Sequence, residues 1–410
     1  MLVTYFEHPF TLRKLRSGAA GLYLDDFAAQ LAQAGYSRDK IRAHLRGAGR
    51  FSEWAAQAGL AIDALDARTL ARFGRHLDTE GCLRCRRGQF GSTFVGARHL
   101  VDWLQAKGIV PMPPPAVEPE LLREFGHWMR AHRGVTETTL AGYRPALRRL
   151  LGTLGEQPDR YAAKGLRELV LDRTRDNNTG QAKTTVTVLR MFLRFLITQG
   201  RCAPELLAAI PTVAGWRHCA LPSGLCAEEV ERVLDTCDCA TAMGACDRAV
   251  LLLLARLGLR AGDVAALQLN AIDWEQGLLR VTGKNRRQAA LPLPQEVGEA
   301  LWRYVANHRP AVATTHVFIT VIAPLVPLSH WMASTITERA LRLAHIDAPS
   351  SGAHLLRRSA ATAMLRQGAS LEAIGEVLRH ASIETTQHYT KVDVALLEQV
   401  AMPWLEVESC

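Results

Sequence analysis

No stretch of this 410-residue sequence is apolar for long enough to span a bilayer. The best candidate, Val250 to Leu259, is short and contains Arg256, so no membrane partner is expected. The N-terminus lacks a basic, then apolar, then small-residue pattern, which argues against a secretion signal. The nine cysteines are scattered and odd in number, so they build no disulfide framework, and a reducing cytoplasm is the expected setting. A metal centre also lacks its parts. Cys82 and Cys85 have zinc-like spacing, but a structural zinc takes about four ligands and no second pair of suitable spacing follows nearby. Cys237 and Cys239 are one residue apart, a poor geometry for one ion.

Positive charge is what the chain has in surplus. With 49 Lys and Arg against 40 Asp and Glu, a formal charge of +9 and a pI near 9.3, it favours a polyanionic partner. Its length predicts two or three domains. The prolines of PMPPPAVEP, residues 111 to 119, remove backbone donors and hold the chain extended, as a hinge would. A second break runs from Pro204 to Gly224. Three segments result: a helical one over 1–110, a helical one over 118–203, and a mixed one over 223–410.

The middle segment is helical by period, with Leu121, Leu122, Phe125, Trp128 and Met129 on one stripe and Leu189, Phe192, Leu193 and Leu196 on another. Its last helix, Ala182 to Gln199, carries Lys183, Arg190 and Arg194 with no acidic residue, as a DNA-facing helix would. Any one of these cations fits a solvated face equally well. The first segment reads as a diverged copy of the second. Ser37, Ile41, Arg50 and Phe51 align with Thr136, Leu140, Arg149 and Leu150, and Arg98, Leu100, Trp103, Leu104 and Gly108 with Arg190, Phe192, Phe195, Leu196 and Gly200. The third segment predicts a helix over Ala227 to Leu234, an apolar helix over Arg248 to Leu257, and a β-hairpin in GLLRVTGK and RQAALPLP. Helices resume after Trp331, and residues 393–402 form a short amphipathic tail. The expected fold class is mainly α with a small β-sheet.

That segment also carries a set of side chains suited to phosphodiester cleavage. A phenol breaks a phosphate ester only when cations neutralise the charge building on the oxygens and an acid protonates the leaving oxygen. Arg260 follows a G-L context, with Asp263 one helical turn on to orient its guanidinium. Lys284 lies at the hairpin tip in competition with Arg286 and Arg287, and Gly283 favours it by letting backbone approach closely. His354 and Arg357, three apart, share a helix face, while Arg358 is expected to point elsewhere. His380 stands at a helix end, and Tyr389 follows nine residues later, beside His388. Each residue alone is also what an ordinary surface would show.

Together these motifs resemble the tyrosine recombinase, or phage integrase, family: an arginine in G-L-R with an acidic residue soon after, a hairpin lysine, H-x-x-R, a histidine, and a tyrosine about nine residues on. Arg260, Asp263, Lys284, His354, Arg357, His380 and Tyr389 match in order over the last 185 or so residues. Two positions depart: Arg379 stands where the family usually has glycine, and Arg358 where it often has histidine. The resemblance implies a mixed α+β catalytic domain over 223–410 and a core-binding domain over 118–203, closing around DNA as a C-shaped clamp. It implies a Tyr389 nucleophile that forms a 3′-phosphotyrosyl link, with Arg260 and Arg357 on the non-bridging oxygens. His354 would assist proton transfer, His380 would donate to a phosphate oxygen, and Lys284 would protonate the leaving 5′ oxygen. Fixed cations replace metal ions in such a site, so no cofactor is expected. The implied partners are double-stranded DNA with paired sites and three further copies in a homotetrameric synapse, with a share for other recombinases left open. A mobile element or prophage is the expected context, and the protein would be nucleoid-associated when bound. Two other readings compete: a type IB topoisomerase, and a DNA-binding accessory protein without chemistry.

Overall fold

The structure, a computed structural model, describes all residues except 80–90, 113–117, 176–178, 213–223, 283–287, 349 and 380–410, and the side chains of 79, 173–175, 179 and 181. The Cys82 and Cys85 pair and the 393–402 tail therefore lie outside the described residues. Residues 1–111 group with 218–410 as one compact unit, and 112–217 form another. No described helix is long and apolar enough to cross a membrane.

The first segment is helical: α1 (Leu2–Tyr5), α2 (Pro9–Arg16), α3 (Leu24–Gln33), α4 (Arg38–Gln57), α5 (Ala67–Thr79) and α6 (Ser92–Ala106). Leu24, Phe27, Leu45, Phe51, Leu100 and Leu104 centre its core. Helices α4 and α6 touch backbone to backbone, because a Cβ on Gly47 would lie 2.6 Å from the Thr93 carbonyl and one on Gly96 would lie 2.5 Å from that of His44. A mid-helix glycine gives up about 1 kcal/mol of helix propensity relative to alanine. Here it permits a crossing that no side chain allows. The turn after α3 meets the third segment, where the Leu325 amide donates to the Ala34 carbonyl at 3.0 Å.

The middle segment contains α7 (Glu120–Arg133), α8 (Glu137–Leu154), α9 (Ala163–Arg175) and α10 (Thr179–Thr198) around a core of its own. It repeats the order of α3 to α6 in detail. Gly35 and Gly134, both at positive φ, precede the caps Ser37 and Thr136 of the long helices α4 and α8. Those helices bury Ile41 and Phe51 in one copy and Leu140 and Leu150 in the other. Gly59 and Gly155 follow, again at positive φ, and each leads to a 3₁₀ turn, Ile62–Ala64 or Pro158–Arg160. The last helix buries Leu100, Trp103 and Leu104 in the first copy and Phe192, Phe195 and Leu196 in the second, each within its own core, and each helix ends before a glycine of positive φ, Gly108 or Gly200. Matching turns, caps and core positions support an internal duplication more strongly than helical period alone, since turn glycines carry no period.

The third segment opens with α11 (Ala227–Asp235) and α12 (Ala242–Ala255). Helix α12 starts six residues before the expected Arg248, because Thr241 caps it by accepting from the Gly244 amide and the small residues Gly244, Ala245 and Cys246 pack inside. A short α13 (Ala261–Ala265) leads into an antiparallel sheet of order β1-β2-β3, with β1 (Ile272–Asp273), β2 (Leu278–Thr282) and β3 (Gln288–Pro292). The expected hairpin is β2 and β3, in the register Leu279↔Leu291 and Thr282↔Gln288. Strand β1 is an addition to it. So is α14 (Gln295–Arg303), which buries Val297, Leu301 and, just beyond it, Tyr304, an i, i+4, i+7 pattern that the sequence reading passed over. Helices α15 (His330–Leu343), α16 (His354–Arg366) and α17 (Leu371–Leu378) complete the described part. Cys237 and Cys239 are half-buried free thiols, and burial pushes Cys237 up to about 11.

Candidate active site

The site is built where three segments meet: the turn after α12, the start of α16, and the end of α17. Gly258 makes the first of these possible. Its φ of 58° lies in the left-handed region, and a Cβ there would stand 2.4 Å from Leu378 Cδ2. With Leu259 fully buried, the next residue, Arg260, is set in extended backbone as the N-cap of α13. Its side chain remains one-third exposed.

Arg357 is the fixed point. It is 3% exposed, and its Nη1 and Nη2 donate to the carbonyls of Gly258 and Leu378. Leu378 is the last residue of α17, where carbonyls lack intrahelical partners and the peptide dipoles favour a cation, and Gly258 lies in the turn after α12. A buried guanidinium without such acceptors would cost several kcal/mol. Bonding α16 to segments 99 residues upstream and 21 downstream, Arg357 ties the site together. The start of the segment is tied to the same helix, since the Leu225 amide donates to Ser359 Oγ at 2.8 Å and Gly224 packs on the Ser359 backbone.

His354, one turn before Arg357, keeps its ring open to solvent while protein crowds its other side. That partial desolvation lowers its basicity below the ordinary histidine value, and the charges of Arg358, Arg357 and Arg260 push the same way. A neutral imidazole near pH 7 can accept a proton. Arg358 does not point elsewhere as expected. It lies one turn after His354 on the same helix face, and its charge adds to the desolvation that lowers the histidine's basicity.

Asp263 divides its work between two arginines. Its Oδ2 accepts from the Arg260 main-chain amide at 3.4 Å and lies 3.8 Å from Arg260 Nη1, yet it is 2.5 Å from Arg379 Nη2. Arg260 is held instead by the Arg379 carbonyl, which accepts from its Nη2 at 2.8 Å. Arg379 is the residue sequence reasoning left out of the site. The one signal for it was its departure from glycine, and the structure gives that position a left-handed φ of 53° at the C-cap of α17.

Arg260, Asp263, His354 and Arg357 are thus brought together. Lys284, in the segment between Thr282 and Gln288, and His380 and Tyr389, beyond α17, lie outside the described residues. On α10, Lys183, Arg190 and Arg194 fall with Thr187 on one stripe, opposite the buried Val188, Leu189, Phe192 and Leu196. Arg190 Nη2 also donates to Thr212 Oγ1 at 3.3 Å.

Comparison with known proteins identifies the family of the chain. The model of the phage integrase family matches residues 224–395. The Sinorhizobium fredii protein y4rA, which carries the name integrase/recombinase, is 34% identical over 96% of this chain and 97% of its own length. Tyrosine recombinase XerD of Pseudomonas putida is 30% identical over 70% of this chain and 97% of its own. Among solved structures, the XerH site-specific recombinase bound to its palindromic difH substrate superposes with a TM-score of 0.57 at 19% identity, covering 82% of this chain and 94% of that one, which shows a shared fold. With a relative above 30% identity along nearly its whole length, the chain belongs to the phage integrase family of tyrosine-type site-specific DNA recombinases.

Proposed function

We propose that this recombinase cuts and rejoins double-stranded DNA through Tyr389. The phenolic oxygen attacks the scissile phosphorus, the P–O5′ bond breaks, and a 3′-phosphotyrosyl ester forms that keeps the bond energy for rejoining. Arg260 and Arg357 face the non-bridging oxygens, where a planar guanidinium fork suits two acceptors. His354 takes part in proton transfer from the phenol, His380 donates to a phosphate oxygen, and Lys284 protonates the leaving 5′ oxygen. The observation that carries this reading is the convergence of Arg260, His354 and Arg357, with Arg357 buried and held by main-chain carbonyls. Such fixed cations stabilise charge as it develops without reorganising. The test is a suicide substrate: the native protein forms an SDS-resistant adduct and Tyr389→Phe forms none while binding the site equally well. An adduct from the Phe variant sinks the assignment.

The proposal extends to the whole chain. Residues 118–203 form the core-binding domain, reading DNA with the α10 stripe of Lys183, Arg190 and Arg194, and residues 223–410 form the catalytic domain. Residues 1–110 are a second DNA-contacting module, supported by the internal duplication and by equal charge: 16 basic and 10 acidic residues in 1–110, and the same numbers in 112–217. The active assembly is a homotetramer on two paired sites, and a mobile element or prophage is its setting.

A further inference from the structure

The Arg379 side chain has no evident reason to be where it is on grounds of stability. It is a non-glycine residue in the left-handed region, which costs about 1 kcal/mol for an L-residue. Its side chain is 10% exposed, and Asp263 is its one ionic partner among the described residues. Its Nε and Nη1 are buried without any partner there. A desolvated guanidinium with two unpaired donors is an arrangement that a glycine, or an apolar side chain, would improve.

What Arg379 does achieve concerns Arg260. Among the described residues, the carboxylate that reaches Arg260 is that of Asp263, whose Oδ2 is 3.8 Å from Nη1. Left alone, that carboxylate would swing onto Arg260 and neutralise the cation meant for phosphate. Arg379 draws the same oxygen to 2.5 Å, and its own carbonyl takes up Arg260 Nη2 at 2.8 Å from another side. We propose that Arg379 is a positioning residue for strand cleavage: its guanidinium occupies Asp263 so that Arg260 stays oriented and available to the DNA phosphate. The proposal rests on the phosphate-binding role given to Arg260 above.

Arg379→Gly removes the guanidinium and keeps the left-handed backbone, so the carbonyl that holds Arg260 stays in place. On a suicide substrate at saturating DNA, the variant should lose roughly ten- to a hundred-fold in cleavage rate, the scale of a misplaced reacting group. Its DNA affinity should change little, and its Tm should be equal or higher. Adding Asp263→Asn to Arg379→Gly should restore most of the rate, since the competing charge is gone while an oxygen acceptor for the Arg260 amide remains. Arg379→Lys should fall between the native protein and the glycine variant. A lower Tm with no rescue by Asp263→Asn would make Arg379 a structural residue and overturn the proposal, as would an unchanged rate in Arg379→Gly. Failure of the native protein to form any adduct would instead overturn the reading of the site itself.

Discussion

The two helical modules and the catalytic region use positive charge in opposite ways. Residues 1–110 and 112–217 each carry 16 basic against 10 acidic residues, whereas residues 218–410 carry 17 against 20 and are net acidic. The surplus that suggests DNA therefore resides away from the chemistry. In the modules the cations stand on helix surfaces, as Arg46, Arg50 and Arg194 do, or in exposed ion pairs such as Arg123 with Glu120 and Arg201 with Glu124. Such exposed pairs contribute little to stability. In the catalytic region a few cations are immobilised: Arg357 by two carbonyls, Arg260 by one, Arg379 by Asp263. Affinity scales with the number of exposed charges, while catalysis depends on the rigidity of a few.

The sharpest break of that comparison is loss of the nucleophile. Tyr389→Phe should abolish the covalent adduct altogether and leave the gel-shift affinity for site DNA at the native value. Next comes Arg357→Lys, for which cleavage should fall by about a hundred-fold or more while binding changes only a few-fold, because an ammonium replaces neither the fork nor its two carbonyl anchors. Equal losses in both would place Arg357 among the anchoring cations instead. In the same assay cleavage should persist in excess EDTA. Suppression by EDTA and recovery with magnesium would show that fixed cations are not the source of charge stabilisation.

Module cations should behave the other way round. Reversing Arg46 and Arg50 on α4 should weaken binding and reduce the slope of log affinity against log salt by about 2, roughly 0.9 per lost phosphate contact. The cleavage rate at saturating DNA should stay unchanged. The α10 pair Arg190 and Arg194 should give the same pattern if the two modules are equivalent. An unchanged footprint and salt slope for the α4 variant alone would make the first module an assembly element rather than a DNA reader.

The smallest expected effect separates the two modules from each other. His44 is buried on α4 with its ring 4.8 Å from that of His99, and desolvation, then His99 and Lys40, lower its pKa to about 4. The folded form holds it neutral while the unfolded chain protonates near 6.5. The resulting stability is complete above pH 6.5 and is lost as pH falls from there towards 4. The loss is at most about 3 kcal/mol. Thermal melts from pH 7 to pH 4 should show a decline that His44→Gln flattens, and a decline of equal size in that variant would assign it elsewhere.

Much of this was open to reading along the chain, for reasons that differ by element. The stripes of α7 and α10 follow from period alone, and the β2–β3 hairpin from alternating residues around a basic turn. The repeat showed because caps and core positions recur at nearly constant spacing. Arg260, His354 and Arg357 stood out because guanidinium and imidazole at these spacings suit phosphate chemistry and match a family pattern. Helix α14 was also present in the period of Val297, Leu301 and Tyr304, and was missed.

Partnership across distance was not written locally. That Asp263 serves Arg379, 116 residues away, and that Arg260 leans on a main-chain carbonyl 119 residues away, follow from the packing of α17 beside Gly258. A sequence names the groups able to donate or accept, and its short-range periods decide which helices and strands form. Which acceptor each buried donor finds depends on segments brought within 3 Å only after the core has closed. For this protein Arg260, Asp263, His354 and Arg357 were legible in the sequence as candidates and Arg379 was not, and the bonds that hold these five together were decided by the tertiary structure.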